Sequence, residues 1–271
     1  MSRPRIAIIQ FPGVNCEAES ARALERAGLS AEVVRWTQSP DTLSRFDGFL
    51  LPGGWSYQDR VRAGALAAKL PLVEALAQQA ALGRPVLGIC NGAQVLVEAG
   101  LVPGEGSIDV ALARNRMPSR TGYLSRWVIC RIEPSNCVFT RAIPAGTRIP
   151  MPIAHGEGRF ISGKRGAMAR LVEAGQVPLR YVGPDGEPSD DYPYNPNAAE
   201  SAAAALCNAA GNVLAMMPHP ERVIYAGAMA RDIGDPWARV QDEAHAHAFG
   251  ALADAPAMAL FRGLASHFQE A

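Results

Sequence analysis

Short apolar runs, each cut off by glycine or proline, alternate with longer stretches of mixed polarity over residues 1–99. Arg5–Gln10 carries the apolar core Ile6, Ala7, Ile8 and Ile9 and stops at Pro12 and Gly13, as a buried parallel strand does. Residues 17–27 read as a helix ended by Gly28. Residues 32–36 and 48–51 read as strands, the second stopped by Pro52, Gly53 and Gly54. Residues 61–82, rich in Ala and Leu, read as helix, and Pro71 is expected to kink or split it. Residues 85–89 form the next apolar strand, followed by Cys90 and a helix over 92–99. Strands alternating with helices predict an α/β fold with a mostly parallel central sheet and helices on both faces.

The pattern is less regular afterwards. Residues 127–132, 148–153 and 179–182 read as strands, and 156–166 as a glycine-rich loop. Residues 184–196 contain four prolines and three aspartates and read as loop. Residues 204–207 and 213–217 can pair as a hairpin around Ala210, Gly211 and Asn212. Beyond Glu221 the chain reads as helical, with breaks at Pro236 and Pro256. Without a repeat or a long linker, residues 1–271 are expected to form one domain.

Composition narrows the class without naming a function. The chain has 271 residues with 26 basic and 26 acidic side chains, 48% hydrophobic and 19% charged, too apolar for a disordered chain. Zero net charge excludes a global basic field for nucleic acid or an anionic membrane. The longest uncharged run, 201–220, is broken by Asn208, Gly211, Asn212, Pro218 and His219, which suit a turn and not a bilayer. The first apolar stretch is too short for a signal peptide. Five cysteines (Cys16, Cys90, Cys130, Cys137, Cys207) lack CxxC spacing, so reduced thiols in the cytoplasm are expected.

Three segments carry candidate chemistry. Gly88-Ile89-Cys90-Asn91-Gly92 lies between a strand and a helix. Its glycines permit the sharp turn that projects a nucleophile, and the helix N-terminus favours a thiolate. Burial in the core is the ordinary fate of a free cysteine, but not in that setting. A nucleophilic cysteine needs a base, and the base needs an orienting group. His219, between Pro218 and Pro220, is the candidate base. Glu221, two residues on, would share its side of an extended segment. A solvent-exposed histidine on a rigid turn is the plainer alternative. Pro52-Gly53-Gly54 follows a strand and could turn backbone N–H groups toward an oxyanion, although such a sequence is also a common turn. Gly158 to Arg165 approximates a phosphate-binding loop but has Arg165 where a hydroxyl is required, so it is rejected. His245 and His247 read as a solvated helix face, Cys130 and Cys137 as structural thiols, and no metal site is expected.

Together these segments resemble class I (triad) glutamine amidotransferases, whose nucleophile lies in G-x-C-x-G-x-Q and whose triad ends in H-x-E. The counterparts are Gly88, Cys90, Gly92 and Gln94, then His219 and Glu221. A finer resemblance is to the branch formed by glutaminase subunits of phosphoribosylformylglycinamidine synthases. It rests on Phe11-Pro-Gly-Val-Asn-Cys16, Pro52-Gly-Gly-Trp-Ser-Tyr57 with Arg62-Ala-Gly64, Ala154-His-Gly-Glu-Gly-Arg-Phe160, Asn195-Pro-Asn197 and Met217-Pro-His-Pro-Glu-Arg222. Two departures occur where the family usually has glycine, at Gln58 and Ala198, and they bear on local loop geometry. Residues 224–271 are longer than the family pattern, with an inserted helix expected within 232–255.

The resemblance implies a flavodoxin-like α/β fold and hydrolysis of L-glutamine through a cysteinyl thioester. Cys90 would be the nucleophile, His219 the base and Glu221 its orienter. Backbone N–H groups near Gly54 and Asn91 would hold the oxyanion. Gln94, with Gly53 and the His155, Gly156 and Glu157 backbone, would bind glutamine. The ammonia would pass to a large synthetase subunit carrying ATP and magnesium, with a small accessory subunit in the same complex and no cofactor in this chain. A triad amidotransferase feeding another acceptor, or a non-catalytic subunit on the same fold, are the other readings.

Overall fold

The computed structural model describes residues 3–104, 109–247 and 250–270. The one-domain reading (1–271) and the C-terminal extension (224–271) therefore include positions outside the described residues. The strands are β1 Arg5–Gln10, β2 Ser30–Arg35, β3 Gly48–Leu51, β4 Val86–Ile89, β5 Val110–Arg114 and β6 Leu124–Ile132. They continue as β7 Arg148–His155, β8 Glu157–Ser162, β9 Leu179–Tyr181, β10 Ala203–Cys207 and β11 Val213–Met216. The helices are α1 Glu17–Arg26, α2 Pro71–Ala81, α3 Asn91–Glu98, α4 Ala167–Glu173, α5 Trp237–Ala246 and α6 Met258–Glu270.

The main sheet runs in the order β2-β1-β3-β4-β11-β10-β9-β6-β7. Its first half is parallel, as the strand–helix alternation predicts. Its second half is antiparallel, so the sheet as a whole is mixed. After α3 only β10 and β11 form a tight hairpin, around Gly211, while β6, β7 and β9 are joined through longer connections. Strands β3, β4, β10 and β11 are buried at every residue, which accounts for their unbroken apolar sequences. From β1 the chain crosses through α1 to one side, and from β3 through α2 to the other. Right-handed crossovers in opposite directions place α1 and α2 on opposite faces. The core between them includes Ile6, Ile8, Leu24, Phe49, Leu76 and Leu87, each such side chain contributing about 1.5–3 kcal/mol by burial.

Several expectations change. At Pro71 the structure shows a split and not a kink, with a 3-10 turn at Ala67–Lys69 before it and α2 from Pro71, while residues 61–66 are not helical. Pro71 occupies the first turn of α2, where its missing N–H is no loss, and Leu70 before it is extended at ψ 145°. Upstream, Val61 and Gly64 have positive φ and turn the chain. Residues 156–166 are not simply loop, because Glu157–Ser162 forms β8 and pairs antiparallel with β5 in a second, two-stranded sheet. Gly158 reads as a breaker but is there for space: a Cβ would lie 2.2 Å from the His155 ring. The helix expected within 232–255 is α5, following Pro236, and α6 follows Pro256.

The two departures from the family pattern explain themselves. Gln58 has φ 59° and Ala198 φ 61°, so both positions keep the left-handed backbone that glycine adopts without strain. The loops are preserved with the strain retained. Gln58→Gly and Ala198→Gly should each raise stability by about 0.5–1 kcal/mol, the left-handed penalty less glycine's greater unfolded entropy. Midpoints of urea unfolding check this, and a drop in both variants would contradict the assigned backbone.

Candidate active site

The sharpest feature of the backbone is the junction of β4 and α3. Cys90 has φ 51° and ψ −104°, a sparsely populated region for any residue with a Cβ. Two bonds hold it: Cys90 N–H donates to Met216 O of β11 (2.8 Å), and Gln94 N–H donates to Cys90 O (3.1 Å). The flanking glycines are required by contact. A Cβ at Gly88 would lie 2.7 Å from Gly92 C, and one at Gly92 would lie 2.0 Å from Leu51 O. The first turn of α3 is thereby pressed onto β3 and β4, with all eight residues of the helix buried. Its N-terminal amides lie beside the thiol, where they favour negative charge. The Cys90 thiol is 4% exposed and faces Ala154 O at 3.7 Å.

His219 arrives from the end of the neighbouring strand β11, its N–H bonded to Pro152 O (2.8 Å). The segment after it is not extended, since Pro220–Arg222 is a 3-10 turn. The turn still brings Glu221 back to the ring, with Nδ1 2.6 Å from Oε1 and both side chains buried. Burial alone would lower the imidazole pKa, but the Glu221 carboxylate, Cys90 and Cys16 outweigh it and hold His219 well above the usual value. Among the described residues Nε2 of His219 and Oε2 of Glu221 have no hydrogen-bond partner. Gly53 sits against this ring; a Cβ there would be 2.7 Å from Cε1.

The wall opposite is a polar chain. Asn91 Nδ2 donates to Gln94 Oε1 (2.9 Å), and Gln94 Nε2 donates to Glu157 O (2.6 Å). Ser56 N–H donates to Asn91 Oδ1 (3.1 Å), and Asn91 Nδ2 also reaches Asp59 Oδ1 (3.4 Å). His155, at the end of β7, is 2% exposed, and its Nδ1 lies 3.1 Å from Asn115 Nδ2. Burial, then the charge of His219, push His155 down to about 3, so this ring is neutral at neutral pH. Gly156 O accepts from Asn115 N–H (2.8 Å), and Gly54 has φ 142° in a place where a Cβ would lie 2.4 Å from Val14 Cα.

The residues singled out in the sequence thus gather at one end of the sheet, on β3, β4, β11, β7 and β8. Gln94 is tied to protein partners at both ends of its amide, so it shapes the pocket as much as it faces it. Several neighbours were not singled out. Cys16 packs beside His219, and Arg222 Nη2 donates to its sulfur at 3.1 Å. Asp59 and Asn115 also belong to the site. Cys16 and Arg222 lie in motifs the sequence displays, whereas Asn115 is a lone polar residue with no sequence signal. Cys16, His219 and Glu221 put donor atoms within 4.8 Å of one another. The Arg222 cation on the sulfur and the short His219–Glu221 bond suit proton handling better than a metal ion. His245 and His247 are exposed near the end of α5, apart from this group.

The chain is similar in sequence and fold to known proteins. A family model described as a CobB/CobQ-like glutamine amidotransferase domain matches residues 3–249. The phosphoribosylformylglycinamidine synthase subunit PurQ of Methanothrix thermoacetophila is 42% identical over 234 residues, covering 84% of this chain and 89% of that protein. The same-named subunit of Thermus thermophilus is 45% identical over 220 residues, 81% of this chain and 90% of its own. Among solved structures, a chain of PurLQS from Thermotoga maritima superposes with a TM-score of 0.71 at 28% identity, covering 98% of this chain and all of that one. A glutamine amidotransferase from Thermotoga maritima, at 16% identity and TM-score 0.54, shares the fold.

The electrostatics give a direct check. Glu221→Gln removes the negative charge that favours imidazolium, so the pKa of His219 should fall. An NMR titration of the ring follows it, and an unmoved pKa would mean the carboxylate is not what holds it up.

Proposed function

The chain belongs to the CobB/CobQ-like glutamine amidotransferase family, and we propose that it is the glutaminase subunit of a phosphoribosylformylglycinamidine synthase. The observation that carries the chemistry is the strained Cys90 at the head of α3, beside a buried imidazole paired with Glu221 at 2.6 Å. That combination supplies a nucleophile, a base and an orienting carboxylate.

On this reading the Cys90 thiolate attacks the side-chain carboxamide carbon of L-glutamine. The carbonyl oxygen takes the negative charge, stabilised by backbone N–H groups near Gly54 and Asn91. His219 gives a proton to the amide nitrogen as the C–N bond breaks, releasing ammonia and leaving a glutamyl thioester on Cys90. It then takes a proton from water, whose oxygen attacks the thioester; glutamate leaves and the thiol is restored. Glu221 keeps the imidazole in one tautomer and stabilises its charged form. Gln94, Gly53 and the backbone of His155, Gly156 and Glu157 form the walls that receive the substrate. The ammonia goes to a synthetase subunit, which carries ATP and magnesium, in a complex that includes a small accessory subunit. The names of the relatives support this, because PurLQS pairs a chain like this one with its partners. Among the described residues no helix is long and apolar enough to cross a membrane. We place the protein in the cytoplasm with its pathway and read residues 1–271 as one amidotransferase domain.

Cys90→Ala should lower glutamine hydrolysis by about 10⁴-fold or more. A reactive glutamine analogue should label Cys90 in the parent protein, as mass spectrometry can show. Adding the synthetase partner should raise the parent's rate. Undiminished hydrolysis in Cys90→Ala would sink the reading.

A further inference from the structure

Glu221 and Arg222 are neighbours in the chain and opposite in charge, yet they turn to different partners. Glu221 Oε1 lies 2.6 Å from His219 Nδ1, and Oε2 of the same buried carboxylate has no hydrogen-bond partner among the described residues. Arg222 instead donates from Nη2 to a sulfur, Cys16 Sγ, at 3.1 Å. That choice runs against the ordinary strength of the contacts. A guanidinium on a carboxylate is among the strongest pairings a protein makes, whereas a thiol is a weak acceptor.

Cys16 is firmly held in the place that draws the guanidinium. It directly precedes α1 and is 1% exposed. Its carbonyl accepts from Ser20 N–H (3.0 Å) and Ser20 Oγ (2.7 Å), and its thiol donates to Asn15 Oδ1 (3.3 Å). Asn15 is fixed in turn, its N–H bonded to Gly53 O at 3.0 Å. Gly53 makes room for the sulfur and the imidazole side by side: a Cβ there would lie 3.3 Å from Cys16 Sγ and 2.7 Å from His219 Cε1. The sulfur, a His219 ring nitrogen and a Glu221 carboxylate oxygen all fall within 4.8 Å of one another. Cys16 therefore fills the space beside the His219–Glu221 pair. Burial would lower the Arg222 pKa, but the bond to Cys16 and the charges of Cys16, Glu221 and Cys90 raise it, so the carboxylate acts on the guanidinium without a bond to it.

We propose that Cys16 is a positioning residue: by taking the Arg222 guanidinium onto its sulfur it keeps that cation off Glu221 and leaves the carboxylate to His219. This deepens the glutaminase reading and rests on it. A carboxylate shared with an arginine would hold the imidazolium less firmly. Proton delivery to the leaving nitrogen would weaken, while the walls that receive glutamine would stay in place.

The test is a reciprocal rescue, on the full chain with its synthetase partner present. Cys16→Ala frees the guanidinium and should lower kcat for glutamine hydrolysis by about 10–100-fold, with KM little changed. Cys16→Ser keeps an acceptor and should retain most of the rate. Adding Arg222→Met to Cys16→Ala removes the freed cation, so the double variant should recover most of the loss, a coupling that independent roles would not give. The pH profile should follow. The titratable and charged groups around His219 are Glu221 and Arg222 on its own turn, Cys90 at the head of α3, Cys16 before α1 and His155 on β7. Pairing of Arg222 with Glu221 lowers the His219 pKa. The alkaline limb of kcat/KM should therefore move to lower pH in Cys16→Ala and return toward the parent's in the double variant. Thermal melts establish folding, and Cys16→Val, which fills the space without an acceptor, replaces Cys16→Ala if that variant does not fold. A double variant as slow as Cys16→Ala would overturn the proposal and put the effect of Cys16 on His219 directly. Unchanged kcat in Cys16→Ala would also overturn it. A parent protein without glutaminase activity would bring down the glutaminase reading instead. NMR titration of the His219 ring in the same variants then decides the role of Cys16, and a pKa that falls in Cys16→Ala without returning in the double variant would overturn it.

Discussion

The site depends on one constrained peptide segment, the passage from β4 into α3 through Cys90. A backbone at φ 51°, ψ −104° costs of order 1–3 kcal/mol and persists only where its surroundings fix it. Here they do. Gly92 lies against Leu51 of β3, Gly88 against Gly92, and Met216 of β11 holds the Cys90 amide. The contacts that force the turn come from the two strands flanking β4, and those same strands deliver Gly53 and His219 from their own C-terminal ends. Ligands in open α/β sheets collect beyond the carboxyl ends of the strands. In this protein the reason is specific. Neighbouring strands in register cannot position Cys90 without also positioning His219.

What the sequence revealed follows from how local each cause is. The β4–Cys90–α3 turn was legible because an apolar run, two glycines and a cysteine are contiguous. His219 and Glu221 are legible as a pair from their spacing, although a 3-10 turn, not alternation along a strand, brings them together. Strand β8 was hidden because Gly156 and Gly158 look like breakers, whereas Gly158 is imposed by the His155 ring above it. The antiparallel half of the sheet was only partly visible. Partner choice among β6, β7, β9 and β10 is a long-range matter that no single segment encodes. Cys16, Asp59 and Asn115 were not assigned to the site because the fold, and not their neighbours in sequence, brings them there.

Positions 58 and 198 show how strain is distributed. Both are left-handed without being glycine, so the loops around the pocket are dictated by their anchors and not by local preference. Asn195 and Asn197 accept from the Ala199 amide at 3.1 and 3.3 Å and hold one loop. Tyr57 N–H, bonded to Pro12 O at 2.8 Å, holds the other. Such anchoring tolerates a poor residue at the turn while keeping the polar groups of the pocket in place. Stability is lowered there and geometry is kept.

The two buried histidines complete the electrostatic logic. His155 and His219 are near enough that the charge of His219 helps to suppress that of His155. Their surroundings drive them in opposite directions: burial, then the His219 charge, lower His155, whereas Glu221, an anion, raises His219. Two titrating groups pushed apart in this way divide the work between them. On the proposed reading His219 carries the proton that leaving ammonia needs. Burial alone would strip the proton from either ring; the Glu221 carboxylate, with the Cys90 and Cys16 sulfurs, keeps it on His219.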